Sequence, residues 1–327
     1  MKSLILLSAA AIAACSLGTG VNADEPLYAK NLSPVAGLFG LPSQRNAATL
    51  AAGQFSAALH SSIANHYIRD SDGDEWLNFD GETWRLAFEA RLGLADGWDL
   101  QLEVPWLDHS GGNLDGVIDD WHDLWGMPDG GRSNVERDLL DYRYRGQDEA
   151  FLLEDDNSGM GDINLSLTHR FYQVDYASAS VALGYKFATG DEDDFLGSGA
   201  QDAWLALRYS AEQLSNLPLR WHGQLGYLHA GDSDLLGKIQ ERDLWFLGLT
   251  MDWIVAPAWS IIAQVDAHRA VADSDITGLG DDTIMLTVGG RWRLSRDFAL
   301  DISVVEDIRV ETAPDVTFQL SVRFRPE

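Results

Sequence analysis

A single cysteine, Cys15, stands in a chain of 327 residues. One thiol cannot close an internal disulfide, so no disulfide framework staples the fold. Basic residues are scarce: 23 Lys and Arg stand against 51 Asp and Glu, a formal net charge of −28. Nucleic-acid binding needs clustered Lys and Arg to meet phosphates, so no nucleic-acid partner is expected. Docking through a basic patch on an anionic membrane surface is excluded on the same ground. No GxSxG, HExxH or CxxC motif occurs, which removes the common nucleophile-elbow, zincin and dithiol chemistries. No metal and no cofactor is expected.

Long apolar runs are also missing. After the first residues there is no stretch of about 18 or more apolar positions, so no transmembrane helix is expected. The start of the chain differs. Lys2 precedes an apolar run from Leu4 to Ala14, and small residues follow up to Val21-Asn22-Ala23. That pattern is a secretory signal peptide, residues 1–23, with cleavage after Ala23. A competing pattern, Ile12-Ala13-Ala14-Cys15, would make Cys15 a lipidated first residue instead. With cleavage after Ala23 the exported chain holds no cysteine.

What the sequence does have is rhythm. Trp84, Leu86, Phe88, Ala90 and Leu92 alternate with Arg85, Ala87, Glu89 and Arg91; Val316, Phe318, Leu320, Val322 and Phe324 alternate with Thr317, Gln319, Ser321 and Arg323. Period-two alternation marks strands with unlike faces. About twelve such segments occur, near 54–66, 83–94, 98–106, 161–171, 178–188, 202–210, 219–229, 243–254, 259–269, 282–294, 298–306 and 316–324. They are long enough to cross a bilayer at a tilt. Short turns, such as Ala95-Asp96-Gly97 and Ser295-Arg296-Asp297, alternate with longer acidic, Gly-rich connections. Aromatics gather at both ends of one face: Trp98, Trp253, Trp259, Trp292 and Phe298 at the turn end, and Trp84, Trp106, Phe187, Tyr227 and Trp245 at the other. Two aromatic girdles around an aliphatic belt are the signature of an outer-membrane barrel. The expected fold is all-β: a transmembrane antiparallel β-barrel of about twelve strands over 51–327. A secreted β-sandwich would explain the alternation, but not the strand length, the turn asymmetry or the girdles.

Three stretches resemble a known family. Asn31-Leu32-Ser33-Pro34, Leu38-Phe39-Gly40-Leu41-Pro42 and the run from Gly116 to Arg132, with its Trp121-His122-Asp123 and Asp129-Gly130-Gly131-Arg132, resemble a proteobacterial family catalogued as a domain of unknown function, number 3187. The resemblance spans essentially the whole exported chain. It implies an outer-membrane-type barrel and carries no activity. Lys186-Phe187-Ala188-Thr189-Gly190-Asp191, with Gly197-Ser198-Gly199 and Asp202, is similar to a pattern in outer-membrane channels linked to uptake of aromatic compounds, which typically carry Pro where this chain has Ala188.

Parity assigns the faces. Arg85, Glu89, Arg91, Glu103, Lys186, Arg208, Arg220, Asp266, Arg291, Arg293 and Arg323 are expected to line the lumen, with Asp99 beside them. That set is net basic. The segment 107–160 is too long for a plain connection, and GVIDDWHDLWGMPDGG within it reads as a short helix. Its acidic residues are expected to fold inward and narrow the pore, with Ile118, Trp121, His122, Asp123, Trp125, Pro128, Asp129 and Arg132 at the constriction. The alternative is a loop that caps the outside through its own small core. Residues 24–50, broken by Pro and Gly, are expected to be an N-terminal plug or a linker.

DSDGDEW has the spacing that opens a calcium loop, but Glu75 stands where glycine is required and Gly81 where glutamate is. These acids are expected to form an anionic rim that meets lipopolysaccharide and outer-membrane lipid. Phe324 is expected to be read by the barrel assembly machinery, although Arg325-Pro326-Glu327 follow it. The expected function is a channel or binder for a small solute, and the basic lumen favours an anionic or aromatic-acid solute. A second class is a hydrolase using the lumenal histidines His60, His222 and His268 with Ser62 and Asp266. A third is a structural envelope protein.

Overall fold

The structure is a computed structural model, and it describes residues 25–112, 139–146, 148–212, 217–309 and 311–326. Fifteen strands form one antiparallel sheet. In chain order they are β1 (Phe55–Asp72), β2 (Glu75–Ala95), β3 (Trp98–Ser110), β4 (Asp141–Arg145), β5 (Ala150–Leu153), β6 (Asn157–Met160), β7 (Asn164–Val174), β8 (Ala177–Lys186), β9 (Asp202–Glu212), β10 (Leu219–His229), β11 (Asp243–Ala256), β12 (Trp259–His268), β13 (Thr283–Arg293), β14 (Phe298–Asp307) and β15 (Val316–Phe324). Twelve of them make the wall; β4, β5 and β6 belong to the connection between β3 and β7. β1 pairs with β15 from Ala57↔Phe324 to Asn65↔Val316, which closes the barrel and leaves its wall no free edge.

The faces explain why these sequences close a barrel. Along β9 every second residue is buried: Ala206, Arg208 and Ser210 point in, while Leu205, Leu207 and Tyr209 point out. β11 repeats this with Phe246, Thr250 and Asp252 inside and Trp245, Leu247, Leu249 and Trp253 outside. A soluble sandwich would bury the apolar row. Here the apolar row is the exposed one, as hydrocarbon solvent demands. The girdles expected from the sequence lie on that outer face, and Trp259 and Trp292 stack across the β12–β13 pair at 5.1 Å.

The loop end departs from expectation in one respect. The acidic stretch 67–82 is not a loop. β1 and β2 stay paired from Phe55↔Leu92 to Asp72↔Glu75, so the hairpin rises beyond the wall. Gly73 and Asp74 turn it, and Gly73 takes a φ of +56°, a left-handed value that suits glycine. β4 and β5 add to this ribbon through Trp76↔Arg145 to Asp80↔Asp141. The reason is burial. Ile68, Leu77 and Phe79 meet Tyr142, Tyr144, Phe151 and Leu153 in one apolar core, joined by Phe195, Leu236 and Leu279 from other loops. Asp70, read as part of a calcium-like loop, instead accepts the backbone N–H of Thr277 at 2.9 Å. The described flanks of the long connection thus build a cap over the loop end. The helix and the constriction residues expected within it, Ile118, Trp121, His122, Asp123, Trp125, Pro128, Asp129 and Arg132, lie outside the described residues.

Candidate functional site

The interior is occupied by the chain's own beginning. Residues 25–50 enter at the turn end, reach the loop end around 31–40 and return. Glu25 and Ala48 meet Arg91 near the end of β2, Asn31 reaches His268 and Thr283, and Leu50 returns to Asp99. Pro26, Pro34, Pro42, Gly37 and Gly40 deny this segment a regular ladder. Its backbone groups are therefore satisfied by lumen side chains, as buried polar groups require. Gly40 N–H donates to Asp202 at 2.7 Å, Ala47 N–H to Ser210 Oγ at 2.8 Å, and Leu50 N–H to Asp99 at 3.1 Å. The Gln44 side-chain amide does the reverse work: its Nε2 donates to the Val265 carbonyl at 2.9 Å and to Asp266 at 2.8 Å. At the tip, Val35, Leu38 and Phe39 enter the apolar core of the cap. The segment is anchored at both ends of the barrel.

The sequence-predicted lumen residues all face inward, and almost every one has a protein partner. Arg85 donates to Glu103 at 2.8 Å and to the Tyr28 hydroxyl at 2.6 Å; Lys30 stands 3.6 Å from the same carboxylate. Arg91 bridges Asp99, at 2.6 Å, and Glu25, while Arg45 meets Glu89. Lys186 binds Asp162 at 2.5 Å with Asp202 at 3.5 Å. Arg208 donates to Gln224 at 2.8 Å, and Arg220 lies 3.3 Å from Asp252. Arg291 and Arg323 share Asp301, each at 2.6 Å, and Arg293 donates to Ser260 at 3.1 Å.

The expectation of a basic lumen needs correction. Asp162, Asp202, Asp252, Asp301 and Glu25 were absent from the predicted set, and they neutralise much of it. Four of these were legible by parity: Asp252 sits between outward Met251 and Trp253, Asp301 between Leu300 and outward Ile302, Asp202 is in phase with Arg208, and Asp162 with Ser166 and Thr168.

The candidate catalytic histidines do not form one site. His60 stacks flat on Tyr28 at 4.0 Å and bonds Ser321 through Nδ1 at 2.8 Å. Its Nε2 is 3.7 Å from Glu89, beyond hydrogen-bond reach. His222 Nδ1 meets Ser210 at 2.9 Å, and His268 Nε2 meets Asn31 at 3.1 Å. Asp266, proposed beside His268, is bonded by Gln44 and Gln264. These histidines serve three separate contacts along the wall and the inner segment.

Among the described residues, the cavities beside the inner segment are small. Three interior cavities, bordered by residues such as Lys30, Phe39 and Arg208, hold about 40, 20 and 20 Å³. Each has room for a water or a few, not a solute. A larger cavity of about 300 Å³ opens at the turn end, lined by Glu25, Arg45 and Arg91 and by the 293–298 turn.

Glu25 couples this arrangement to pH. Burial opposes its charge, but Arg91 and Arg45 prevail and hold its carboxyl down at about 2. A released segment would return it to about 4.5. The lowered value means that docking is supported above pH 4.5 and loses that support as pH falls towards 2. The full loss is about 3 kcal/mol. Acidification across that window is expected to raise protease accessibility of residues 25–50, and Glu25→Gln is expected to remove the pH dependence. A flat profile in the unsubstituted protein would contradict the docking role of Glu25.

Among curated proteins none matches this chain. Solved structures do. The crystal structure of the COG4313 outer membrane channel from Pseudomonas putida F1 shares 14% identity, with 86% of this chain and 98% of that chain covered and a TM-score of 0.56. The Ralstonia pickettii toluene transporter TbuX shares 11% identity over 85% of this chain and 90% of its own, with a TM-score of 0.43. The KdgM porin in complex with disordered oligogalacturonate shares 11% over 83% and 99%, with a TM-score of 0.44. The first of these establishes the fold as that of an outer-membrane barrel. The family profile named "Protein of unknown function (DUF3187)" matches residues 3–325, and the chain belongs to that family.

Proposed function

We propose that this protein is an outer-membrane channel for a small solute, exported by its signal peptide and held shut by residues 25–50. One observation carries the reading: a closed, polar-lined barrel whose bore is filled by a segment that is not part of the wall. Barrels of this size without a plug leave a water-filled bore. The wall's ladder is complete without the segment, because β1 and β15 close it. The segment can therefore leave without opening the sheet. The description of the Pseudomonas putida protein as a channel supports extending the same role to this chain. Outer-membrane lipid and lipopolysaccharide are the proposed surroundings, and the barrel assembly machinery the proposed inserter.

The solute is proposed to be an anion or an aromatic acid. Reversal potentials of the folded protein in planar bilayers, under a salt gradient, test this. Brief openings that favour anions are expected. Openings that favour cations would discard the solute class while keeping the channel. A folded, bilayer-inserted protein that never conducts, with or without residues 25–50, would discard the channel and leave a structural envelope role.

A further inference from the structure

Arg208 stands inside the barrel without an acid. It is 4% exposed, and among the described residues no carboxylate forms an ion pair with it. Its guanidinium donates to the Gln224 side-chain oxygen at 2.8 Å and reaches Thr168 Oγ1 at 3.5 Å. It lies 5.7 Å from the centre of the Trp204 ring. All three partners are uncharged. The cations around it differ. Lys30, Arg45, Arg85 and Arg91 meet Glu103, Glu89, Glu25 and Asp99, as many acids as cations. That set is balanced, and Arg208 is the fifth positive charge.

The wall explains its reach. Arg208 on β9 pairs with Ser180 on β8, and Ala182, the next inward residue of β8, pairs with Thr168 on β7. Ser180 and Ala182 are small and buried, so the long Arg208 side chain passes over β8 towards β7. Trp204 on its own strand and Gln224, its partner in register on β10, fix the guanidinium. It borders a cavity of about 20 Å³. Lys30 and Arg45 of the inner segment line the same cavity. Three cations therefore face it against one lining carboxylate, Glu103, which Arg85 already holds at 2.8 Å. A space of this size takes one particle about as large as a water. A phosphate or an organic acid does not fit. A water would fit, but it would leave the guanidinium charge uncompensated, and a charge buried without a counter-ion is costly. A halide ion satisfies both demands, size and sign.

We infer that this cavity is a binding site for one monatomic anion, a halide such as chloride, clamped between Arg208 on the wall and Lys30 and Arg45 on the inner segment. The ion supplies the negative charge that Arg208 lacks. Both surfaces that hold it are cationic at this point, so the ion also ties residues 25–50 to the wall. The site goes beyond the channel reading and stands whether or not the barrel conducts.

Urea unfolding of the detergent-held protein, followed by heat-modifiable gel migration, tests it. One series is run in sodium chloride at about 0.1 M and the other in sodium gluconate at the same ionic strength, so that general screening is equal. Gluconate is too large for the cavity. Chloride is expected to lower the unfolding equilibrium constant about tenfold relative to gluconate, because it binds the folded chain and not the unfolded one. Arg208→Gln, which keeps a polar side chain and removes the charge, is expected to abolish the difference. A crystal soaked in bromide gives a second reading that needs no variant, and one anomalous peak is expected between Arg208 and Lys30. Equal unfolding in chloride and gluconate, an undiminished chloride effect in folded Arg208→Gln, or a bromide-soaked crystal with no peak in this cavity would each overturn the inference.

Discussion

A chain in which residues 1–24 are joined directly to Ala51, without residues 25–50, is expected to conduct on the order of tenfold more per channel than the full chain, or to conduct where the full chain is silent. The interior cavities beside the segment hold about 40 Å³ or less, and Leu27 and Ala47 have no exposed surface. Among the described residues, this segment runs through the bore from the turn-end cavity to the cap. Removing it leaves Glu103, Asp99 and Asp202 without some of their partners, yet each keeps a wall cation: Arg85, Arg91 and Lys186 respectively. Water entering the bore would solvate what else is released, so the desolvation penalty of a buried unpaired charge does not arise. The barrel is expected to fold, shown by heat-modifiable migration. The tip residues Val35, Leu38 and Phe39 also leave the cap core, so the cap should loosen and widen the outer exit. A folded deletion that conducts no better than the full chain would mean that another element closes the bore.

The wall was legible in the sequence because lipid and lumen impose opposite demands on alternate residues. Each of the twelve expected strands is present, and the parity that put Arg208 inside also put Leu207 outside. The rising β1–β2 hairpin was not legible. Its acids, Asp70, Asp72 and Asp74, look like loop, and the residues that bury Leu77 and Phe79 lie across the long connection, in β4 and β5. The course of residues 25–50 was equally hidden. The segment has no period, and its anchors are far away in sequence: Gly40 meets Asp202, and Asn31 meets His268. Only its Pro and Gly content hinted that it needed partners outside itself. The pairing of the lumen was half legible. Its cations were named, but Asp162, in phase with Ser166 and Thr168 inside the expected 161–171 segment, is missing from the expected lumen set; in the structure it stands in the break between β6 and β7.

That break holds the second large effect. Gly161 donates its N–H to the Pro105 carbonyl at 2.9 Å, and proline offers nothing in return. β7 resumes at Asn164. Asp162 turns inward in the gap and gathers five donors: Lys186 Nζ at 2.5 Å, and the backbone N–H groups of Thr189 and Gly190 at 2.9 Å and Ser198 at 3.2 Å, with its own carbonyl taking the Asn164 amide at 3.1 Å. One carboxylate thus neutralises a buried lysine and ties the 187–201 loop to the wall. Asp162→Ala is expected to cost about 4 kcal/mol in urea unfolding followed by gel migration, since it leaves a buried ammonium short of one partner and orphans three N–H groups. Asp162→Asn keeps one acceptor oxygen and should cost about half as much. The exposed Asp194 supplies the control, and Asp194→Ala should change stability by less than about 0.5 kcal/mol. The order of the three variants carries the argument. Equal stability in Asp162→Ala and Asp194→Ala would show that Asp202, 3.5 Å from Lys186, suffices alone to hold the buried charge.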